Sequence, residues 1–304
     1  MRDTGRVTRR DNLQRFAWLS IATAIVTIAL KTGAWWITGS VGLLSDAAES
    51  VVNLVAAVAM LIALGVAAKP ADDNHNFGHA KAEYFSAGVE GALIFVAAVA
   101  IIYAAVERLL NPRPLEALGI GLAISVVAAV VNGVVAVILL RAGRRHRSIT
   151  LTADGRHLMT DLVTTAGVLV AIGVVAFTGW TILDPIIAIA VAINILFVGY
   201  RLIAESTLGL MDTALPDGDV GLIEEALDGF RSPDVEFHDV RTRVGGHLRY
   251  LQLHMLVPGE WSVQRGHDVV EDVEAGLHEV VEDLHITIHL EPIEDPRSYE
   301  SWRR

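Results

Sequence analysis

Six stretches of the chain stay apolar for long enough to cross a bilayer, which takes about 20 helical residues. They cover residues 16–38, 41–67, 84–109, 115–140, 149–178 and 182–206. Short links separate them, several marked by Pro or Gly, as in Asn111-Pro112-Arg113-Pro114 and Thr178-Gly179-Trp180. The apolar run behind the basic start is too long for a signal peptide, and no small-residue cleavage pattern ends it, so it reads as a retained first span. After Ser206 the period changes. Residues 216–230 read as a short amphipathic helix. Residues 235–244 and 247–257 alternate like strands around a Gly245-Gly246 turn. Residues 262–284 return to helical periodicity with acids on the wet face, and 285–290 alternate again. The tail from Pro292 carries no pattern and reads as loose.

The expected fold is therefore an all-α, six-helix transmembrane domain over 1–208. A small α+β domain over 209–304 follows it, in the order αββαβ, ferredoxin-like or metallochaperone-like, with three strands and two helices.

Composition sharpens this division. The chain is 53% hydrophobic and 19% charged, with a mean hydropathy of +0.47; soluble domains carry more charge. Residues 1–206 hold 16 Lys/Arg against 14 Asp/Glu, and the remainder 8 Arg against 21 Asp/Glu, so the net charge of −11 divides into +2 and −13. The acidic second part does not suit nucleic acid, which needs a basic face, but it suits cations. The absence of cysteine excludes disulfides, thiolate zinc sites and thiol catalysis. The tail carries Arg2, Arg6, Arg9, Arg10 and Arg15, the second link Lys69 and Lys81, and the fourth link Arg141, Arg144, Arg145 and Arg147; the opposite links carry only Arg108 and Arg113. Lys/Arg gather in cytoplasmic loops, so a multi-pass protein of the cell (inner) membrane with both termini cytoplasmic is expected.

Ionisable groups inside a membrane are costly and are functional suspects. The second span holds Asp46, Glu49 and Asn53, the fifth Asp154, His157 and Asp161. Spacings of three and four put each set on one helical face. Facing each other, Glu49, Asn53, His157 and Asp161 can make a four-ligand site whose nitrogen and oxygen donors suit Zn²⁺, and also Fe²⁺, Mn²⁺ or Cd²⁺. The plainer reading is helix-packing hydrogen bonds, or a proton relay without metal. Such a site also takes up protons in competition with metal, as an antiporter requires. Lys31 and Glu90 are lesser candidates, and Asn132 and Asn194 read as helix contacts.

These features resemble the cation diffusion facilitator family, in its bacterial zinc/iron branch. The most specific match is Pro70-Ala71-Asp72-Asp73-Asn74-His75-Asn76-Phe77-Gly78-His79-Ala80-Lys81-Ala82-Glu83, similar to the family's second intracellular loop. His157-Leu158-Met159-Thr160-Asp161 resembles its fifth-helix half-site. Gly209-Leu210-Met211-Asp212-Thr213-Ala214-Leu215-Pro216 resembles its junction into the cytoplasmic domain. The resemblance implies a homodimer that exchanges divalent metal, Zn²⁺ foremost, for protons by alternating access. It implies a transport site at Glu49, Asn53, His157 and Asp161, and a loop site at Asp72, His75 and His79. It also implies a cytoplasmic site at His238, His254, His267, His289 and Glu291, and a dimer charge pair between Lys81 and Asp212.

The chain departs from the family pattern at Glu49 and Asn53, commonly His or Asp with Asp second, and at Leu290, where a polar residue can occur. Fe²⁺, Mn²⁺, Cd²⁺ and Co²⁺ remain rival cargoes. A membrane metal sensor or scaffold without transport is the rival of another class. An enzyme is not expected, because the zinc-protease pattern His-Glu-x-x-His and nucleophile motifs are absent.

Overall fold

The computed structural model describes residues 13–38, 41–111, 120–178, 180 and 182–299. Within these, the side chains of 41–49 lie outside the described set, as do those of 120–122, 171–178 and several single positions. Asp46 and Glu49 are therefore placed only as helix positions, and Arg2, Arg6, Arg9, Arg10 and Arg113 lie outside the described residues. The chain divides into two compact units, 1–207 and 208–304.

The first unit contains, among the described residues, six long helices: α1 (Gln14–Thr38), α2 (Val41–Ala67), α3 (Ala82–Leu110), α4 (Ile120–His146), α5 (Ile149–Thr178) and α6 (Leu183–Leu210). Four of them, α1, α3, α4 and α6, are long and apolar enough within the described residues to cross a membrane, and α2 contributes a shorter apolar stretch, Asn53–Ala67. α1 packs on α2 and α4, α4 on α5, and α5 on α2 and α3. One core joins Ala17, Met60, Leu64, Ala136, Leu139, Leu151 and Leu158. A second joins Ala87, Ile94 and Ala98 of α3 to Ala153, Ile195 and Leu202. Leucines are the commonest residues of the first, and alanines in both let helices pack closely, which matters where lipid offers no hydrophobic drive.

Helix ends outrun the apolar stretches. α4 was expected to stop near residue 140, with its arginines in a loop. It runs instead to His146, so Arg141, Arg144 and Arg145 ride its last turns, where cations complement the helix dipole. The α4–α5 link is then only Arg147 and Ser148. Arg147 is left-handed (φ 50°), and Ser148 N donates to Gly143 O at 2.9 Å, the closing bond of a Schellman turn. Ser148 Oγ also donates to the buried carboxylate of Glu83, tying the start of α3 to the start of α5.

The second unit is α7 (Asp217–Asp228), β1 (Glu236–Gly245), β2 (Leu248–Val257), α8 (Val263–Val280) and β3 (Leu284–Pro292). β2 is central, antiparallel to β1 and parallel to β3. A two-residue hairpin loop joins β1 to β2, with Gly246 at φ 68°, a positive angle such turns favour. The parallel return to β3 runs through α8, as parallel pairs require. Ile223 and Leu227 of α7, and Val273 and Leu277 of α8, pack on Phe237, Leu253, Met255 and Ile288 from one sheet face. The tail is less loose than its sequence suggests: Pro296–Tyr299 forms a 3₁₀ turn, and Ser298 Oγ donates to Pro292 O at 2.7 Å.

Gly199 marks a close approach of α6 to α3. A Cβ there would lie 2.8 Å from Phe95 N and 3.1 Å from Gly91 O on α3. Gly199→Ala is expected to cost about 1–3 kcal/mol, read as a lowered midpoint in detergent thermal unfolding. Gly33→Ala, with nothing within 4 Å of its Cβ, should leave the midpoint unchanged or raise it.

Candidate metal centres

The membrane unit gathers polar groups from four helices. α5 turns His157 and Asp161 to one face, because residues four apart stack on a helix. Both are buried, as are Asn53 of α2, Asn132 of α4 and Glu90 of α3. Asn53 Nδ2 donates to Asp161 Oδ2 at 2.6 Å, and Asn132 Nδ2 donates to the same oxygen at 3.3 Å. Asp161 Oδ1 lies 4.0 Å from His157 Nε2, while His157 Nδ1 is in direct contact with Glu90 Oε1. Asn53 Oδ1 and Asp154 Oδ2 are buried without a hydrogen-bond partner. Asp154, one turn before His157, is also buried. Lys31 sits within electrostatic reach of Asp161.

This arrangement can hold a divalent ion. Zn–N and Zn–O distances of about 2.0–2.2 Å at a tetrahedral angle bring donor atoms to about 3.4 Å. The 4.0 Å between His157 Nε2 and Asp161 Oδ1 thus needs only a small closure. The unpartnered Asn53 Oδ1 is a third donor. Of the transport-site residues expected from the sequence, the structure brings together Asn53, His157 and Asp161; the Glu49 side chain lies outside the described residues. Asn132 makes the helix contact expected of it, from α4 to Asp161 on α5, and Glu90, a lesser candidate from the sequence, meets His157. Glu90 shares a buried face of α3 with Glu83 and Ser86, while Asn132 has no polar residue one turn away on α4; the tertiary contact shows which partner each takes.

The loop residues also converge. Asp72, His75 and His79 each offer a ligand atom within 4.8 Å of the others. Asp72 Oδ1 accepts from His75 N at 2.7 Å and from Asn74 N at 3.0 Å, an Asx turn. The His75 N–H holds the exposed Asp72 carboxyl below the usual carboxylate range. His79 Nδ1 faces Pro70 O at 3.2 Å, so the proton belongs on Nδ1. Nε2 lies 3.4 Å from Asp72 Oδ2.

In the second unit the sheet register does the work. His238 pairs with His254 across β1–β2, and His254 with His289 across β2–β3, so three imidazoles stand in a row with ring centroids 5.1 and 5.0 Å apart. Glu291, two residues beyond His289, shares its face. Glu291 Oε2 lies 3.1 Å from both His238 Nε2 and His254 Nδ1. A bulge makes this alignment. Carried on unbroken from Gly245↔Leu248, the register would set His238 opposite Met255, on the core face. The register shifts between His238 and Arg241, where Asp239 takes φ 49°, and this turns His238 to the open face.

His238, His254 and Glu291 form the group with ligand atoms within 4.8 Å of one another, and two imidazoles with a carboxylate fit a zinc-like ion. His289 Nε2 is 3.7 Å from Glu291 Oε1 and stands at the margin of the group. His267 does not join it: α8 packs on the opposite sheet face, and His267 there is exposed, 3.7 Å from Glu271. Leu290 faces Gly266 of α8, away from the histidines, so its apolar side chain takes nothing from the cluster. Asp212 Oδ1 accepts from Arg243 Nη1 at 3.0 Å within the second unit, and Lys81 directly precedes α3 in the first.

Comparison with known proteins agrees over nearly the whole chain. Residues 17–211 match the model of the cation efflux transmembrane domain, and 215–293 that of the cation efflux protein cytoplasmic domain. The chain is 50% identical over 285 residues to an uncharacterized transporter, sll1263, of Synechocystis, covering 94% of this chain and 92% of the relative. It is 30% identical over 282 residues to the cation-efflux pump FieF of Salmonella arizonae, covering 92% and 93%. Among solved structures, the metal-bound C-terminal domain of the CzcD transporter from Thermotoga maritima is 24% identical, covering 27% of this chain and 99% of that one, with a TM-score of 0.24.

Glu291 is the carboxylate shared by two imidazoles, so its loss should be felt at once. Glu291→Ala is expected to weaken Zn²⁺ binding to the second unit by about tenfold or more, since even outer partners of metal ligands cost 10–100-fold. Equilibrium dialysis of the full chain, with His75 and His79 replaced to silence the loop, measures it.

Proposed function

The chain belongs to the cation diffusion facilitator family of divalent-metal efflux transporters, and from that premise we propose that it exports Zn²⁺ from the cytoplasm in exchange for protons, working as a homodimer by alternating access. The observation that carries this reading is the buried meeting of Asn53, His157 and Asp161 between apolar helices. A buried carboxylate beside an imidazole holds either a divalent ion or protons, because metal ligands must deprotonate to bind. Protons arriving from the far side therefore displace the ion, and the ion displaces protons from the near side. Nitrogen and oxygen donors suit Zn²⁺, with Fe²⁺, Co²⁺, Cd²⁺ and Mn²⁺ as competing cargoes.

The basic turn that ends α4, with Lys69 after α2 and Lys81 before α3, supports a cytoplasmic location for that side of the membrane. Six spans then return both termini to it, in the inner membrane of a bacterial cell. The acidic second unit lies in the cytoplasm, with Zn²⁺ held by His238, His254 and Glu291, His289 alongside. Ions bound there bias closure of the two cytoplasmic domains in the dimer, a population shift that needs tighter binding to one state. Lys81 and Asp212 stabilise the dimer near the membrane surface. The loop residues Asp72, His75 and His79 take up ions near the cytoplasmic mouth.

Reconstituted protein under a pH gradient tests the proposal, with Zn²⁺, Fe²⁺, Mn²⁺, Co²⁺ and Cd²⁺ supplied in turn. Zn²⁺ uptake that collapses with the gradient is expected. Binding without movement of any ion would mean a sensor rather than a transporter. Asp161→Ala should abolish transport while leaving cytoplasmic binding intact; normal transport in that variant refutes the membrane site. Asn53→Asp should change ion preference or proton dependence, and unchanged values for both would mean that the amide has no part in selectivity.

A further inference from the structure

We infer that Glu90 is a positioning residue for the transport site: it fixes His157 through Nδ1 and so directs Nε2 toward Asp161. This rests on reading Asn53, His157 and Asp161 as that site. The contact between Glu90 Oε1 and His157 Nδ1 joins two side chains that are both buried, 2% and 7% exposed. Glu90 is the one charged residue between positions 84 and 106, and a lone carboxylate at that depth is costly unless something holds it. Its backbone is fixed too. Gly91, the next residue, lets α3 close on α6, where a Cβ would lie 3.1 Å from Gly199 O and 3.0 Å from Ile203 N.

The two ring nitrogens of His157 therefore have different tasks. Nδ1 meets the Glu90 carboxylate. Nε2 is left 4.0 Å from Asp161 Oδ1, on the side where Asn53 also lies. A carboxylate behind a ligating imidazole raises its basicity and fixes its orientation. A more basic imidazole gains more with borderline ions such as Zn²⁺, Co²⁺ and Cd²⁺ than with harder Mn²⁺. Glu90 thereby bears on selectivity without touching the ion.

The test measures transport KM and kcat for Zn²⁺ and Mn²⁺ in proteoliposomes containing Glu90→Gln, Glu90→Asp and Glu90→Leu. Glu90→Gln keeps the size and an acceptor oxygen but removes the charge. Its Zn²⁺ KM is expected to rise about tenfold, within the 10–100-fold range for such partners, with kcat within about twofold of the parent and the Zn²⁺ over Mn²⁺ preference reduced. Glu90→Asp should recover part of the loss and Glu90→Leu show the larger end of the range. If Glu90→Leu does not fold, the near-isosteric Gln and Asp variants decide. An unchanged Zn²⁺ KM and preference in Glu90→Gln overturns the inference. So does an equal loss for both ions with a lower kcat and a lower unfolding midpoint, because that pattern marks a merely structural role. Asp161→Ala in parallel separates the two readings: transport by that variant sinks the site itself, whereas a dead Asp161→Ala beside an unaffected Glu90→Gln sinks only the role given to Glu90.

Discussion

A carboxylate buried among apolar helices has no water to solvate it, and its hydrogen bonds decide how the surrounding helices can pack. Asp161 meets this constraint with two amides, Asn53 from α2 and Asn132 from α4, both donating to Oδ2. Three helices are thus fixed around one oxygen. The small residues of the cores, Ala17, Ala136 and Ala153 among them, let the backbones come close enough for these bonds to form. The arrangement also explains what an amide does at position 53. A carboxylate there would face Asp161 at about the same separation, and two anions so close repel unless a cation or proton lies between them. With Asn53 the site holds together before any ion arrives, at the cost of one anionic ligand.

The cytoplasmic group answers the same problem with different means. Its histidines come from three strands, and nothing in their spacing along the chain aligns them. The hairpin sets the register and the bulge at Asp239 corrects it by one residue. Without that shift, His238 would point into the core beside Met255, leaving His254 and Glu291 short of a ligand. A single residue in a left-handed conformation therefore decides whether the open sheet face carries a site. The helices pack on the other face, so the cluster can gain or lose an ion without disturbing the core.

These two constructions explain which parts were legible in the sequence. Long apolar runs and alternation record burial directly, so the six-helix unit and the small αββαβ unit could be read. Helix ends could not, because hydropathy stops where lipid stops while backbone hydrogen bonding continues; Arg144 and Arg145 lie beyond the apolar stretch yet within α4. In the membrane, His157 and Asp161 were legible because helical spacing puts them on one face. Asn132 was legible as a helix contact and Glu90 as an intramembrane carboxylate, but their partners are on other helices and could not be named from spacing. In the sheet, His238, His254 and His289 could be assigned to strands, but their alignment depended on a bulge with no signature beyond an Asp tolerant of positive φ. His267, a ligand position carried over by resemblance, stands exposed on α8 beside Glu271 and outside the group of His238, His254 and Glu291.

Ion binding at either centre is an exchange of partners rather than the filling of a gap. In the sheet, Glu291 already holds two imidazoles, and a metal replaces those contacts with its own. In the membrane, Asp161 Oδ2 is committed to amides and Oδ1 faces His157, both on α5, so an ion held between Nε2 and Oδ1 would reach α2 only through Asn53. Nδ2 of Asn53 can stay on Asp161 while Oδ1, now without a partner, turns to the ion. On the proposed reading, the amide that weakens the ligand set would also be the link by which an ion couples α5 to α2, since a carboxylate in its place could not both donate to Asp161 and accept the metal without taking up a proton.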